Sequence, residues 1–258
     1  MRDFPRAVDL GARNGVFGRA LSQSDASTRV GLLVETDLAQ GMLARGDRVR
    51  IVADEEHLPF GFASLDLVVS GLSLHWANDV VGALIQIRRA LKPDGLFIGA
   101  LFGGSTLTEL RASLMAADLE VTGGAGSRVS PFADASDAAG LLQRAGFALP
   151  VADVDLVKVR YDHPMKLLAD LRAMGETSVL ADRHPRALNR GILARACEIY
   201  VERFAEPDGR VPATFEILTL TGWSPSSIQQ QPLRPGSAKM RLADALGTTE
   251  MPLRRDEI

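Results

Sequence analysis

The segment VDLGARNGVFG, Val8 to Gly18, decides the fold class of this chain. A short apolar run that contains Asp9 leads into glycines at positions 11, 15 and 18, and a helical pattern follows. A strand that enters a helix through a glycine turn is typical of the first unit of an α/β fold, where the backbone approaches a ligand closely. Arg13 stands inside this turn, where most nucleotide-binding loops have a small residue.

The pattern after this segment alternates between strand and helix as far as residue 102. Strands are predicted at RAVDL, RVGLLVETD, VRIVAD, LDLVVSGLSL and LFIGALFG, with helical patterns such as ANDVVGALIQIRRALK between them. Two further strand patterns, VDLVKVRY and ATFEILTLTGW, follow. Such alternation predicts an α/β, doubly wound, mostly parallel seven-stranded sheet with right-handed crossovers.

The remaining patterns predict the domain organisation. Two helical patterns, MKLLADLRAM and ALNRGILARACEIYVERF, indicate a helical insertion at about residues 162–208, before the last strand. Residues 1–223 are predicted to form one domain. Residues 224–258, which contain SPSSIQQQPLRPGS, have the composition of a C-terminal tail.

Composition limits the class of function. The chain has 258 residues, 46% of them hydrophobic, and a net charge of −3, so no general attraction to nucleic acid is expected. A single cysteine, Cys197, excludes an intramolecular disulfide. No apolar run reaches the ~18 residues of a membrane span, and no signal peptide is recognisable, so we predict a cytoplasmic protein. The histidines have no metal-ligand spacing, and no metal site is predicted; they are His57, His75, His163 and His184.

Several ligands compete for the glycine turn. In a dinucleotide-binding fold the turn receives a pyrophosphate, but the carboxylate of Asp9 would repel it. Neither Tyr161 nor Tyr200 is followed four residues later by the lysine of short-chain dehydrogenases. A P-loop is excluded because Gly-Lys-Ser/Thr is absent. The glycine pattern is also compatible with a tight turn that binds no ligand.

S-adenosylmethionine fits the acidic residues better. It has no phosphate, and its ammonium and sulfonium suit Asp9. One carboxylate can accept from both ribose hydroxyls, and Asp37 follows the second strand, although it could also serve only as a helix cap. Leu38 offers an apolar wall for adenine, and the stretch ADEEHLPF, with Asp54 and Glu55, offers polar partners. Acids at three successive strand ends favour this cofactor.

The motifs VDLGARNG, VETDLAQGML, ADEEHLPF and LDLVVSGLSLHWANDVVGALIQIRRALKPDGLFIGALFGG, in that order, resemble the class I S-adenosylmethionine-dependent methyltransferases. The likeness covers about the first 102 residues and is to the subgroup with the malonyl-carrier-protein methyltransferase of biotin synthesis. TLTELRASLMAADLEV, RVSPFADASDAAGLLQRAGFALP and LRPGSAKMRLADAL extend the likeness over nearly the whole chain. They resemble proteobacterial relatives of the mitochondrial complex I assembly factor, an arginine hydroxylase.

The resemblance implies a set of cofactor residues. Asp9 and two glycines would line the methionyl part, Asp37 would hold the ribose, and Ser70 would lie near the sulfonium. The family usually has glycine where Arg13 stands. Arg13 is predicted to clamp the cofactor's carboxylate, to point to solvent, or to fill the pocket. The complete predicted set is Asp9, Gly11, Arg13, Gly15, Asp37, Leu38, Asp54, Glu55 and Ser70.

The substrate side is predicted at LSLHWAND, just beyond the fourth strand. His75 is a candidate base and Trp76 a substrate wall, although both could simply pack at the start of the next helix. No catalytic residue is assigned.

We predict a methyltransferase that acts on a small molecule or a protein. The alternative is a respiratory complex I assembly factor, acting on a complex I subunit as an arginine hydroxylase or as a chaperone. The fourth strand lacks the Asn/Asp-Pro-Pro-Tyr motif that gathers nucleic-acid bases.

Overall fold

The structure is a computed structural model that describes residues 2–43, 48–124, 126, 128–177, 188–230, 237 and 240–249. The chain forms two compact units, Met1–Ser226 and Ser227–Ile258. His184 lies outside the described residues. The predicted division into a domain of residues 1–223 and a tail of residues 224–258 stays a prediction beside these units.

Seven strands form one sheet in the order β3-β2-β1-β4-β5-β7-β6. The strands β1 to β5 pair in parallel, whereas β7 is antiparallel to both β5 and β6. The predicted doubly wound, mostly parallel sheet is confirmed. The strands are β1 (Phe4–Leu10), β2 (Val30–Asp37), β3 (Val49–Val52), β4 (Leu65–Gly71), β5 (Leu91–Phe102), β6 (Ala148–Tyr161) and β7 (Val211–Trp223).

Helices follow most of the strands, and two of them lie between β6 and β7, as the predicted insertion requires. The second compact unit contains the short helix α8. The helices are α1 (Val16–Ser22), α2 (Gln40–Leu43), α3 (Val80–Ala90), α4 (Thr108–Thr122), α5 (Ala135–Arg144), α6 (Pro164–Met174), α7 (Arg190–Phe204) and α8 (Leu242–Leu246).

The central strands are buried on both faces because their apolar residues alternate between two cores. Val8 and its neighbours on one face pack against α3 and α5, through residues such as Leu84 and Leu142. Ala7 and Leu33 on the other face pack with Phe17 of α1. Burying an aliphatic side chain of this size stabilises a fold by roughly 1.5–3 kcal/mol, so these layers hold the ends of β1, β2 and β4 in place.

A third core attaches the insertion to the end of the sheet. Phe102 at the end of β5 shares this core with Leu114 of α4, Leu171 of α6, Ile199 of α7 and Phe215 of β7. The helix α6 ends at Met174, and Gly175 after it is in the left-handed conformation typical of a helix C-terminus. Glu176, which follows Gly175, contacts Arg13 and His75 near the carboxyl ends of the central strands.

Candidate cofactor and substrate site

The loop after β1 requires glycine at two of the predicted positions. Gly11 and Gly15 have φ angles of +71° and +76°, a region that residues with a Cβ avoid. A Cβ at Gly15 would stand 2.8 Å from Oε1 of Glu35, and one at Gly11 would overlap the Ser73 side chain. The loop is therefore packed directly against β2 and against the segment that follows β4.

Arg13 also has a left-handed backbone, with a φ of +50°. A non-glycine residue in this region costs about 1–2 kcal/mol. The cost is offset by a hydrogen bond from the backbone N–H of Arg13 to Oδ2 of Asp37 at 2.8 Å. The backbone of the glycine loop is thus tied to the carboxylate at the end of β2.

The guanidinium of Arg13 contacts the insertion. Its Nη1 donates to the carbonyl oxygen of Met174 at 2.6 Å, and its Nη2 donates to Oε1 of Glu176 at 2.6 Å and to the carbonyl oxygen of Leu72 at 3.4 Å. The sequence left three alternatives for Arg13: binding the cofactor's carboxylate, pointing to solvent, or filling the pocket. None of them included this contact with the insertion. Carboxylate binding by Arg13 stays a prediction, and the structure gives the residue a second role as a link between the glycine loop and the insertion.

Asp37 is fixed by two backbone groups and is 8% exposed. Besides the N–H of Arg13, it accepts the N–H of Ala39 through Oδ1 at 2.8 Å. Asp37 therefore caps the start of the segment that leads into α2, and each oxygen keeps a further lone pair. Leu38 beside it is 63% exposed, so an apolar surface adjoins the carboxylate.

Asp9 is a buried carboxyl group without a partner for one of its oxygens. The residue is 1% exposed, and Oδ2 makes no hydrogen bond. Burial, together with the negative charges of Glu35 and Asp37, raises the pKa of Asp9 to about 7, although Arg48 opposes the shift. Glu35 is its neighbour in the sheet register and forms an ion pair with Arg50 at 3.0 Å. A cation beside Asp9 would favour the ionised carboxylate.

The two acids after β3 point in different directions. Oδ1 of Asp54 accepts the N–H of Glu56 at 2.8 Å and shapes a local turn. Glu55 reaches toward the glycine loop, where its Oε1 accepts a hydrogen bond from the hydroxyl of Ser73. The structure thus brings Glu55 close to Gly11 and leaves Asp54 at the edge, and their contact with adenine stays a prediction.

The residues predicted for the substrate side lie in a 3₁₀ turn, Leu74–Trp76, just beyond β4. The His75 side chain is 2% exposed. Its ring contacts those of Trp76, Phe102 and Phe132, with centroids 5.2, 4.8 and 5.9 Å apart. The ring of His75 is therefore packed among aromatic side chains, as one of the two interpretations of the sequence proposed. Its Nε2 nevertheless lies 3.2 Å from Oε2 of Glu176, so the ring also has a polar partner.

Glu176 was missed by the sequence analysis. It lies just after Gly175, and its N–H donates to the carbonyl oxygen of Leu171 at 2.8 Å, as expected at a helix end. Its side chain is 8% exposed and bridges Arg13 and His75. The sequence Gly-Glu after α6 indicates only a helix terminus, and nothing in its spacing points to the glycine loop.

Three buried side-chain atoms among the described residues have no hydrogen-bond partner: Oδ2 of Asp9, Oγ of Ser70 and Nδ1 of His75. All three belong to residues predicted for the site. Leaving a buried polar atom unpaired costs roughly 1–3 kcal/mol, so each of these atoms calls for an explanation such as a catalytic role or a bound partner. Their position at the ends of β1 and β4 is where ligands bind in open α/β sheets.

Comparison with known proteins identifies the family. Residues 8–99 match the family model described as a methyltransferase domain. The chain is 41% identical over 248 residues to the mitochondrial arginine-hydroxylase NDUFAF5 of Rattus norvegicus, covering 94% of this chain and 71% of the relative. This chain belongs to the class I S-adenosylmethionine-dependent methyltransferase family. It is therefore a methyltransferase-family enzyme, and S-adenosylmethionine is the cofactor that its domain implies.

Other relatives support the same family and leave the substrate unspecified. The malonyl-[acyl-carrier protein] O-methyltransferase of Methylovorus sp. (strain MP688) is 36% identical over 238 residues, with 86% of this chain and 77% of that protein covered. A candidate methyltransferase of Bacillus halodurans C-125 shares the fold, with a TM-score of 0.60 at 13% identity over 88% of this chain and 94% of that chain.

The residues of the site fit this cofactor. The unpartnered carboxyl oxygen of Asp9 suits a cationic methionyl group, and Asp37 has lone pairs free for a ribose diol beside the exposed Leu38. In the described part of the chain, no three His, Cys, Asp or Glu residues are grouped as a metal site, and no helix is long and apolar enough to cross a membrane.

Proposed function

We propose that Asp9, Asp37 and Leu38 hold S-adenosylmethionine at the carboxyl end of the sheet, and that the methyl acceptor meets the chain beside His75 and Trp76. The observation that carries this proposal is the set of unpartnered buried atoms at Asp9, Ser70 and His75. They extend from the strand that precedes the glycine loop to the predicted substrate turn, so one path of polar groups serves both the cofactor and the acceptor.

When bound, S-adenosylmethionine supplies an electrophilic methyl group on a sulfonium. Asp9 contributes a carboxylate that opposes the positive charge, and Asp37 fixes the ribose. Precise positioning can account for effective molarities of ~10⁵ M or more, and two rigid carboxylates on adjacent strands provide such positioning. Acceptors of low acidity also need a base, for which His75 is the candidate.

The cofactor assignment is tested by changing Asp37 to Ala. The variant loses two charge-assisted hydrogen bonds to the ribose, worth about 1.5–3 kcal/mol each. We expect the affinity for S-adenosylmethionine, measured by titration calorimetry, to fall at least tenfold, since ~1.4 kcal/mol is one decade. Asp155→Ala on the exposed edge strand β6 is the control and should bind as wild type. Binding of NADH in place of S-adenosylmethionine would contradict the assignment.

A second candidate is supported by the Rattus norvegicus relative named arginine-hydroxylase, which is 41% identical over 248 residues that cover 94% of this chain. In this proposal the partner is a respiratory complex I subunit, on which the chain acts as a hydroxylase or a chaperone. The first candidate leaves the acceptor open, as a small molecule or a protein. The predicted cytoplasmic location stays a prediction under both candidates.

Mass spectrometry of complex I subunits from a deletion strain separates the candidates. A subunit that lacks one oxygen atom supports hydroxylation, and one that lacks a methyl group supports methylation. Unchanged subunits in a complex I of normal abundance would contradict the complex I proposal and leave the methyltransferase with another acceptor. Unchanged subunits with reduced assembly would favour a chaperone.

A further inference from the structure

Glu176 enters the site from the insertion and contacts both Arg13 and His75. We propose, resting on the methyltransferase function proposed above, that Glu176 is a positioning residue that holds His75 with Nδ1 as its basic nitrogen. His75 then accepts the proton of an N–H or O–H group that receives the methyl. The acceptor class is thereby an amine, a guanidine or a hydroxyl rather than a carboxylate.

The first step concerns the charge of Glu176. Burial raises the pKa of its carboxyl group, but hydrogen bonds from His75 and Arg13, together with the positive charge of Arg13, bring the pKa below its ordinary value. The group is therefore an ionised carboxylate, and such a group only accepts hydrogen bonds. Arg13 donates to one oxygen at 2.6 Å. The other oxygen, 3.2 Å from Nε2 of His75, must accept from that nitrogen.

The second step concerns the other ring nitrogen. With the proton on Nε2, the neutral ring has an unshared electron pair on Nδ1. This atom is buried and has no partner among the described residues, which is unfavourable for an acceptor. The ring is held between Trp76, Phe102 and Phe132, so it cannot turn freely to exchange its nitrogens. An N–H or O–H group of a bound acceptor would supply the missing donor.

The arrangement follows the logic by which a carboxylate orients a histidine base in hydrolases. The acceptor's proton leaves for Nδ1 while the acceptor's electron pair forms the bond to the methyl carbon. The electrons of the broken carbon–sulfur bond stay on sulfur. His75 becomes an imidazolium that Glu176 stabilises, and Glu176 stays ionised throughout. A carboxylate acceptor is already ionised at neutral pH and has no proton for His75 to take.

Arg13 completes the arrangement by compensating the charge of Glu176. Its backbone N–H is bonded to Asp37 and its guanidinium to Glu176. The residue that replaces a family glycine is thus the physical connection between the predicted ribose carboxylate and the histidine. The charged groups in this chain of contacts are Asp37, Arg13 and Glu176, and the chain ends at the neutral ring of His75.

The proposal is tested by ¹⁵N NMR of the imidazole rings in the full chain at neutral pH. We expect His75 to carry its proton on Nε2 in the wild type and in Glu176→Asp, which keeps the carboxylate. In Glu176→Gln the amide can donate as well as accept, and the proton should distribute over both nitrogens. His163 is the internal control, because its Nδ1 accepts the N–H of Met165 at 3.1 Å and it has no contact with Glu176.

Three results would overturn the proposal: a wild-type His75 with its proton on Nδ1, a ring protonated on both nitrogens, or no change in Glu176→Gln. A purely structural role for Glu176 gives the last result. Calorimetry with S-adenosylmethionine on the same samples separates this inference from the proposed function. Binding by the wild type supports the proposed function whichever ring nitrogen carries the proton. Failure of the wild type to bind would contradict the proposed function and would leave the assignment of the proton on His75 unaffected.

Discussion

Two regions meet at the candidate site, and they hold their functional groups by different means. The glycine-loop edge, residues 9–15 with the ends of β2 and β4, holds Asp9 through strand pairing and burial. It holds Asp37 through the backbone N–H groups of Arg13 and Ala39. The insertion delivers Glu176 through the packing of α6 and α7 on a separate core. This difference indicates that cofactor binding should depend on the glycine-loop edge, whereas the orientation of His75 should depend on the insertion.

The largest effect is expected in the glycine-loop edge, from Gly11→Ala. The added Cβ meets the Ser73 side chain and forces a left-handed backbone on alanine, at a combined cost of about 2–5 kcal/mol. Urea denaturation should show this loss of stability, and binding of S-adenosylmethionine should fall with it. Gly61→Ala is the matched control, because a Cβ there has no atom within 4 Å. Equal stability of the two variants would mean that the loop is not packed as described.

A smaller effect is expected where the two regions touch, at Arg13 and Glu176. Their ion pair is 2.6 Å long, with side chains 32% and 8% exposed. A double-mutant cycle of Arg13→Gln and Glu176→Gln should give a coupling of about 1–2 kcal/mol. The pair of Arg160 and Asp208 has the same 2.6 Å separation but is largely exposed, so its coupling should be weaker. Additive effects of the two substitutions would contradict an energetic link between the glycine-loop edge and the insertion.

A more gradual effect, spread over about three pH units, concerns the dependence of stability on pH. The pKa of Asp9 is raised from 3.8 to about 7, so the folded state holds this proton more tightly than the unfolded state. The stability that it contributes is complete below pH 3.8 and is lost as the pH rises to about 7, with a slope of at most ~1.4 kcal/mol per pH unit. Asp9→Asn should have a flatter profile over this range in thermal denaturation. An unchanged profile would mean that Asp9 is ionised throughout.

The sequence predicts the glycine-loop edge well because its information is local. The glycines directly follow β1 and Asp37 ends β2, so each lies within a few residues of the strand that places it, and periodicity puts both strand ends at the same edge of the sheet. Asp37 also illustrates why two interpretations can both hold. It accepts the N–H of Ala39, as a helix cap does, and keeps its place at the end of β2.

The placement of Glu176 by the insertion could not be predicted from the sequence, because it depends on tertiary packing. Glu176 and Arg13 are 163 residues apart along the chain, and no local pattern links them. The direction of Arg13 was also beyond the sequence, since its main partners, the Glu176 carboxylate and the Met174 carbonyl, are set by where α6 ends.

The central claim is that the glycine-loop edge, and not the insertion, holds the cofactor. A crystal structure of the full chain with S-adenosylhomocysteine tests it most directly. We predict that both ribose hydroxyls hydrogen-bond to Asp37, that Leu38 covers the adenine, and that Oδ2 of Asp9 gains a partner. A nucleoside bound away from Asp37, with Oδ2 of Asp9 still unpaired, would contradict the claim.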